Sequence, residues 1–258
     1  MMKFKKMHGN GNDFIIIENL TQTISLTKSQ IIKMGDRNKG LGFDQLITIN
    51  PPKKNHHDLH IKFFNTDGSE ASMCLNGVRS VGAFVWESQL FPKKPILLGT
   101  KSRDILIKPT ESKNVKAVID FPFKEKIPKS EMKLLQKEKV CFVNVGNHHL
   151  LIQSTKIDNY DLSALCKKLR KRKFFRDTNI SLWKKTGSTI LSRTNEAGAG
   201  ETLSCGSAAA AIASVALNSA KKITVISKGG KISLTNMGDK LEMTGPAELI
   251  CEGVWAKN

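Results

Sequence analysis

Two cysteines lie in matching sequence contexts, and together they could serve as an acid and a base. Residues 67–77 read Asp-Gly-Ser-Glu-Ala-Ser-Met-Cys-Leu-Asn-Gly, and residues 198–208 read Gly-Ala-Gly-Glu-Thr-Leu-Ser-Cys-Gly-Ser-Ala. In both segments a glutamate stands four residues before the cysteine, and a helical pattern follows it. We therefore take Cys74 and Cys205 as the candidate chemical centre.

Each of these cysteines is predicted to precede a helix, where thiol chemistry is favoured. The unpaired N–H groups and the dipole at a helix N-terminus stabilise anions, so they can lower the pKa of a thiol and bind a carboxylate. Two such helix starts could hold one carboxylate between two thiols. One thiolate would remove a proton from an amino-acid Cα while the opposite thiol delivers another to the other face.

The alternative for any single cysteine is the role of a small buried hydrophobe. We assign that role to Cys141, Cys166 and Cys251, because each lies in an apolar or helical run without a glycine-rich loop.

The segments around the two cysteines also repeat in order along the chain. Residues 10–18 and 145–152 each place a Gly-Asn turn before a strand, and 62 positions separate Asn12 from Cys74 while 58 separate Asn147 from Cys205. After each cysteine helix we expect a three-strand meander, with strands at 96–98, 105–108 and 115–121, and at 222–227, 231–235 and 240–244. Hairpin turns are expected at Gly229-Gly230 and Gly238-Asp239.

The repeat predicts two α+β halves. The boundary is expected near Phe121-Pro122, where proline and the lysine-rich segment 124–138 interrupt the pattern. The competing interpretation is that any two α+β halves share strands and helices, and the matching cysteines count against it.

Composition limits the classes of partner. The chain has 258 residues and a formal net charge of +18, which suggests nucleic acid or a membrane surface. A lysine-rich solvated surface explains the charge better, since only residues 167–173 form a dense basic run and aromatic residues are 6% of the chain. We expect a small-molecule substrate, no nucleic acid and no membrane partner, and we leave a homodimer open.

Neither a metal nor an organic cofactor is expected. The sequence has no CxxC or HExxH pattern, and its two G-x-G fragments, at 9–11 and 40–42, do not open a helix after a strand. We expect no signal peptide from the N-terminal residues and no membrane span, since no apolar run is long enough for one. The odd count of five cysteines then indicates free thiols in a reducing cytoplasm.

Several segments together resemble the diaminopimelate epimerase family. They are Met7–Phe14, Gly42–Gln45, Phe64–Glu70, Cys74–Arg79, Gly146–His149, Gly198–Gly206 and Gly245–Glu248. The resemblance runs in order from residue 3 to about residue 254, and its two cysteine motifs are highly specific.

This resemblance implies a fold and an activity. The expected fold is α+β, with two pseudo-symmetric halves that are each a rolled, mostly antiparallel sheet around a central helix, and the active site in the cleft between them. The halves would be residues 1–120, joined by the tail 248–258, and residues 121–247. The expected activity is cofactor-independent conversion of LL- to meso-diaminopimelate, on the route to lysine and peptidoglycan.

The resemblance also implies site residues. Cys74 and Cys205 match the pair of bases, and His149 and Glu196 match the polar pair beside the reacting centre. The positions that match substrate contacts are Asn12, Gln45, Asn65, Leu75, Asn76, Asn147, Asn179, Gly206 and Ser207.

The sequence departs from the family pattern at four places. Leu75 replaces the glycine after the first cysteine, His148 replaces a proline, and Ser207-Ala208 replaces Thr-Gly. Ala197 replaces the arginine that binds the carboxylate at the non-reacting end of the substrate. Arg193, His148 or a lysine could substitute for it.

Two alternatives to diaminopimelate epimerase therefore stay open. One is a related two-cysteine racemase whose substrate lacks the distal carboxylate. The other is a catalytically weak, basic binding protein of the same fold.

Overall fold

A computed structural model describes residues 1–135, 139–217 and 221–256. Residues 136–138 of the predicted lysine-rich segment and residues 257–258 of the predicted tail lie outside this description. The chain divides into two compact units, Met1–Val118 with Thr244–Asn258 (unit 1) and Ile119–Met243 (unit 2). The sequence places the corresponding boundaries at residues 121 and 248.

The described part of unit 1 contains two helices and the first seven strands of the chain, and the eighth strand begins there. Its elements are Met2–Gly9 (β1), Asn12–Glu18 (β2), Lys28–Gly35 (α1), Gln45–Asn50 (β3), Leu59–Asn65 (β4), Glu70–Ala71 (β5), Leu75–Glu87 (α2), Ile96–Gly99 (β6), Asp104–Pro109 (β7) and Asn114–Asp120 (β8), the last of which ends in unit 2.

In its described residues unit 2 contains three further α-helices. The chain returns to unit 1 at Thr244, so the strand Lys240–Pro246 ends in unit 1 and the last strand lies wholly within it. The elements are Phe123–Glu125 (β9), Lys129–Met132 (α3), Lys139–Asn144 (β10), His148–Gln153 (β11), Leu162–Leu169 (α4), Asn179–Thr186 (β12), Thr189–Glu196 (β13), Gly200–Thr202 (β14), Gly206–Ala216 (α5), Lys222–Ser227 (β15), Gly230–Asn236 (β16), Lys240–Pro246 (β17) and Glu248–Trp255 (β18).

Both units use the same strand order. In unit 1 the order is β18–β1–β2–β3–β4–β6–β7, and the pairs β2–β3 and β4–β6 are parallel while the others are antiparallel. In unit 2 the order is β9–β10–β11–β12–β13–β15–β16, with β11–β12 and β13–β15 parallel. The predicted internal repeat is thus confirmed at the level of topology.

A buried helix lies against each sheet. α2 packs on β1, β2 and β7, and its residues from Leu75 to Val85 are all buried. α5 packs on β10, β11, β12, β15 and β16, and it is rich in buried alanine. Because most residues of each helix are buried, each helix must be covered on all sides, and each mostly antiparallel sheet curls around one. The predicted α+β architecture of sheets rolled around central helices is confirmed.

Two of the parallel crossovers carry the eight-residue helices α1 and α4. α1 connects β2 to β3, and its N-terminus has a capping box in which the Thr27 side chain and Gln30 bond each other's backbone N–H. α4 connects β11 to β12, and the Asp161 side chain caps it through Ala164 N at 2.9 Å.

The expected strands of both meanders form, with one shift in a turn. Ser227 pairs with Gly230, so the turn residues between β15 and β16 are Lys228-Gly229 and not Gly229-Gly230. The predicted turn at Gly238-Asp239 forms, with Gly238 at φ +90° and Met237 N donating to Lys240 O.

Two arginines of the basic run 167–173 bind protein groups. Arg170 donates to Asn195 Oδ1 at 2.6 Å and to Asn195 O at 2.8 Å, and Arg172 pairs with Glu131 at 3.0 Å. Among the described residues, no helix combines the length and the apolarity that crossing a membrane requires.

Candidate active site

Cys74 is the N-cap residue of α2, as predicted. Its backbone is extended at φ −135° and ψ 119°, and the helix begins at Leu75. The Cys74 Sγ lies 3.5 Å from Asn12 Oδ1, and Asn76 Nδ2 donates to the same oxygen at 3.4 Å. Three of the expected site residues of unit 1 are therefore joined through one amide oxygen.

The orientation of Asn12 is set by a neighbouring carboxylate. A two-residue turn, Asn10-Gly11, with positive φ at both positions, ends β1 and places Asn12 at the start of β2. Asn12 Nδ2 donates to Asp44 Oδ2 at 2.6 Å, so its Oδ1 must face Cys74 and Asn76. Arg37 in turn pairs with Asp44 at 2.9 Å and with Asp13 at 2.8 Å.

Asp13 is held as an anion in this network. Partial burial acts to raise its pKa, but the charges and hydrogen bonds of Arg37 and Lys6 outweigh it and lower the pKa below the usual value. The carboxylates that position Asn12 are thus firmly tied to basic groups.

A fully buried arginine lies on the same helix as Cys74. Arg79 donates to Asn76 Oδ1 at 2.9 Å and to Leu75 O at 3.3 Å. Burial lowers the pKa of Arg79 to about 10, and the charge of the Cys74 thiolate acts in the opposite direction. Arg79 therefore stays cationic at neutral pH and favours the thiolate of Cys74 electrostatically.

Leu75 does not distort the start of α2. Its φ is not positive, and its side chain is almost wholly buried. The conformational freedom of the family's glycine is therefore not needed here, and the difference lies in the bulk of the side chain.

Gln45 and Asn65 form a second pair in unit 1. They are register partners on β3 and β4, and Gln45 Nε2 donates to Asn65 Oδ1 at 3.0 Å. Asn65 Nδ2 donates to Ser69 Oγ at 3.1 Å. Both side chains are thereby fixed at the end of the strands that carry them.

Cys205 occupies the equivalent position in unit 2, as the N-cap residue of α5, with φ −121° and ψ 112°. Its Sγ lies 3.2 Å from Glu196 Oε2 and 3.3 Å from Ser207 Oγ. Thr202 Oγ1 donates to the other carboxylate oxygen, Glu196 Oε1, at 2.6 Å. Gly206 is the first residue of the helix.

The expected lowering of the thiol pKa is wrong for Cys205. Burial, followed by the negative charge of Glu196, raises the pKa of Cys205 well above the usual value, although Ser207 and the Ala208 N–H act to lower it. The field of one helix terminus is smaller than the cost of placing a thiolate in a dry site beside a carboxylate.

His149, Asn179 and Glu196 lie on three neighbouring strands of unit 2. His149 pairs in register with Asn179, and the adjacent residue, Ile180, pairs with Asn195, which precedes Glu196. His149 Nε2 contacts Asn147 Oδ1 at 3.2 Å. Burial, together with the charge of His148, lowers the pKa of His149 to about 3, so its imidazole is neutral.

Ala197 is held by its backbone. Its N–H donates to Asn179 Oδ1 at 2.9 Å. The side chain of Asn179, another expected substrate contact, is therefore bound to the backbone at position 197.

Arg193 and His148, which could replace the missing arginine at position 197, both bind other groups. Arg193 forms two 2.8 Å contacts with the Glu201 carboxylate, and its Nη1 donates to the carbonyl of Ile157 at 2.7 Å. His148 lies 3.3 Å from Glu125 and stacks on Phe142.

The remaining cysteines divide into two kinds. Cys166 is buried and burial raises its pKa to about 11, while Cys141 is partly buried with a raised pKa, so both behave as apolar residues. Cys251 is exposed on β18, so the expectation that it is buried is wrong.

Sequence reasoning missed three residues that support the site, namely Asp44, Arg79 and Thr202. All three stand inside the quoted motifs, and only the folded contacts reveal what they bind. Asp44 orients Asn12, Arg79 binds Asn76, and Thr202 binds Glu196.

The sequence profile described as diaminopimelate epimerase matches residues 4–120 and 141–250. The chain belongs to this family. The match includes both cysteine motifs and every expected site residue, and it makes the protein an isomerase of the epimerase type.

Solved structures share the fold of this family member. A PhzF-family phenazine biosynthesis protein from Bacillus anthracis is 14% identical with a TM-score of 0.75, and the match covers 98% of each chain. A hydroxyproline epimerase from Agrobacterium vitis is 11% identical with a TM-score of 0.71, and the match covers 98% of this chain and 91% of the other. These likenesses concern the fold alone.

Proposed function

We propose that the protein is a cofactor-independent epimerase that interconverts LL- and meso-diaminopimelate, in lysine and peptidoglycan precursor biosynthesis. The observation that carries the proposal is the pair of cysteines at equivalent helix N-caps within a chain of this family. The first-turn N–H groups of each helix are suited to the substrate α-carboxylate.

The surroundings of the two thiols suggest their resting states. Cys74 has a cationic guanidinium on its own helix and a neutral amide oxygen beside its sulfur, whereas Cys205 has a carboxylate beside its sulfur. In the direction that this arrangement favours, the Cys74 thiolate removes the Cα proton and the Cys205 thiol donates its proton to the opposite face.

The reverse direction starts from the opposite protonation states: Cys205 loses its proton to become the base, and Cys74 takes up a proton from solvent to become the acid. We assign the acceptance of the Cys205 proton to Glu196, and the 3.2 Å distance from Sγ to Glu196 Oε2 supports this role. Thr202 and Ser207 hold the carboxylate and the thiol in place by hydrogen bonds. His149 takes part as a neutral hydrogen-bonding group, because its imidazole is not protonated at physiological pH.

The direct test is incubation of the purified, reduced protein with LL-diaminopimelate, followed by chromatographic measurement of the meso isomer. Solvent deuterium should appear at the epimerised Cα, since the donated proton comes from a thiol that exchanges with water. Formation of meso product without deuterium incorporation would contradict a two-thiol mechanism.

A second candidate is a two-cysteine racemase whose substrate has no distal carboxylate. Ala197 and the engagement of Arg193 by Glu201 favour it, because neither supplies a charge to a second carboxylate. Assaying amino acids with uncharged side chains beside diaminopimelate separates the two, by comparison of kcat/KM.

A further inference from the structure

We propose that His56, His57 and Asp104 form a binding site for a divalent transition metal of the zinc type. Their potential ligand atoms all lie within 4.8 Å of one another, and theirs is the only such grouping of three or more His, Cys, Asp or Glu residues in the part of the chain that the structure describes. The grouping lies in unit 1 and includes neither site cysteine.

The backbone around the two histidines is anchored to a neighbouring strand. Asp58 N donates to Leu97 O at 2.9 Å, and Leu97 N donates to Asp58 Oδ2 at 2.7 Å. The strand that follows, β4, pairs in parallel with β6 through Leu59 with Leu98 and His60 with Gly99. These contacts fix the position of the two histidines along β6.

A glycine provides the space for His57. A Cβ added to Gly99 would lie 2.3 Å from His57 Nδ1 and 2.5 Å from Cε1, so the imidazole occupies the volume that any other residue would fill. Gly99 is the register partner of Asp104 on β7. The ring thus crosses β6 at the one position without a side chain and reaches the carboxylate on the next strand.

Both histidines direct Nε2 toward that carboxylate. His57 Nε2 lies 2.9 Å from Asp104 Oδ1, and His56 Nε2 lies 3.2 Å from Oδ2, with the two ring centroids 4.3 Å apart. The His57 side chain is only 3% exposed, and its short contact is not aligned as a hydrogen bond. A buried ring nitrogen in this position lacks a well-directed partner, and a metal ion would supply one.

The donor set selects the type of ion. Two imidazole nitrogens and one carboxylate oxygen suit Zn²⁺, Co²⁺ or Ni²⁺, whereas Mg²⁺ and Ca²⁺ prefer oxygen ligands alone. Three protein ligands leave a fourth position for water.

The bound ion would link the segment before β4 to β7. Because the ligands converge only in the folded chain, metal binding would stabilise unit 1 by linkage. The positive charge of Lys54, which also acts on Asp104, opposes a dication, so we expect moderate and not extreme affinity.

The test is Zn²⁺ titration of the full chain by calorimetry after its accessible thiols have been alkylated, since thiolates also bind zinc. His56 is exposed, so His56→Ala should fold normally, and Asp104→Asn tests the carboxylate. His148→Ala is the matched control, an exposed histidine that also faces a carboxylate, Glu125.

We expect one Zn²⁺ per chain in the parent and in His148→Ala, and at least tenfold weaker binding in His56→Ala and Asp104→Asn. The increase in melting temperature caused by Zn²⁺ should disappear in the same two variants. Equal Zn²⁺ affinity in the parent and His56→Ala, or no saturable Zn²⁺ binding by the parent, would overturn the proposal. Neither result depends on the epimerase activity.

Discussion

The two cysteine motifs have equivalent backbones and opposite electrostatic surroundings. Both cysteines are extended N-cap residues of a buried helix that follows a short strand. Cys74 is partly exposed, next to an amide oxygen and under the influence of a buried arginine, whereas Cys205 is buried next to a carboxylate. The repeated fold supplies equivalent positions, and the side chains around them break the equivalence.

This difference indicates how two identical thiols can hold different protonation states. Without different charges around them, the two thiols would have the same pKa and the same protonation state at any one pH. Arg79 favours the charged form of Cys74, and Glu196 disfavours the charged form of Cys205. The two-base mechanism that we propose needs one base and one acid at the start of each turnover, and this asymmetry would supply them.

The largest effect is expected from removing either thiol. Cys74→Ala and Cys205→Ala should each lower kcat for epimerisation by about 10²–10⁴-fold, the scale of a lost general acid or base. Steady-state assays in reducing buffer measure this, because an oxidised pair of thiols would be inactive in the parent as well.

Cys251→Ala serves as the control for this pair of variants. It removes an exposed cysteine on β18 and should leave the rate unchanged. Near-normal turnover by either single site variant would remove the need for two thiols and with it the comparison between them.

The next largest effect is expected from removing the charge of Glu196, the carboxylate beside Cys205. Glu196→Gln keeps the shape of the side chain but removes the charge that helps to raise the pKa of Cys205. The variant should therefore ionise Cys205 at lower pH, and its alkylation by iodoacetamide near pH 8 should accelerate by about tenfold for each pKa unit recovered.

Mass spectrometry of the labelled peptides separates Cys205 from Cys74 in that experiment. In the parent, Cys74 should be labelled first. Glu201→Gln is the matched control, since it removes a nearby glutamate that binds Arg193 and does not contact Sγ in the structure. Faster labelling of Cys205 in the control as well would show that disruption of the unit, and not the missing charge, is responsible.

The sequence predicts the positions of the two cysteines before helices, but not the burial and the charged groups that set their pKa values. Residue spacing and repeated turns place Cys74 and Cys205 before helices, because helix starts have local signals. The raised pKa of Cys205 depends on burial by its unit and on Glu196, which is nine residues away in sequence and 3.2 Å away in space. Likewise, only the fold shows that Arg193 pairs with Glu201.

An intermediate effect is expected at the distal end of the substrate. Ala197→Arg would restore a charge that could bind a second carboxylate, and a charge-assisted hydrogen bond contributes about 1.5–3 kcal/mol. The KM for diaminopimelate should fall roughly tenfold or more while kcat changes little, because such a contact binds ground state and transition state alike.

Ala197→Gln, which adds bulk without charge, is the control for that substitution. If Ala197→Arg loses activity and the parent racemises an amino acid without a second carboxylate faster than diaminopimelate, the substrate assignment is wrong. That result would not contradict the conclusion that the two thiols have opposite charges beside them.

The smallest effect is expected from the cation near the first thiol. Arg79→Met replaces a buried guanidinium with a flexible apolar chain and removes the charge that favours the Cys74 thiolate. Alkylation of Cys74 near neutral pH should slow several-fold, and the kcat–pH profile should move toward higher pH. Both changes would show that the pKa of Cys74 has moved toward that of Cys205.

Arg79→Lys separates charge from packing in this experiment. Lysine keeps a cation but cannot reproduce both contacts, to Asn76 Oδ1 and to Leu75 O, so a purely structural role would impair both variants equally. An electrostatic role instead predicts that Arg79→Lys recovers much of the Cys74 alkylation rate even where its melting temperature stays low. Slow labelling of Cys74 in both variants, in step with their melting temperatures, would assign Arg79 to packing. The helix terminus would then be left to favour the Cys74 thiolate, since Asn12 Oδ1 accepts from the thiol and favours its protonated form.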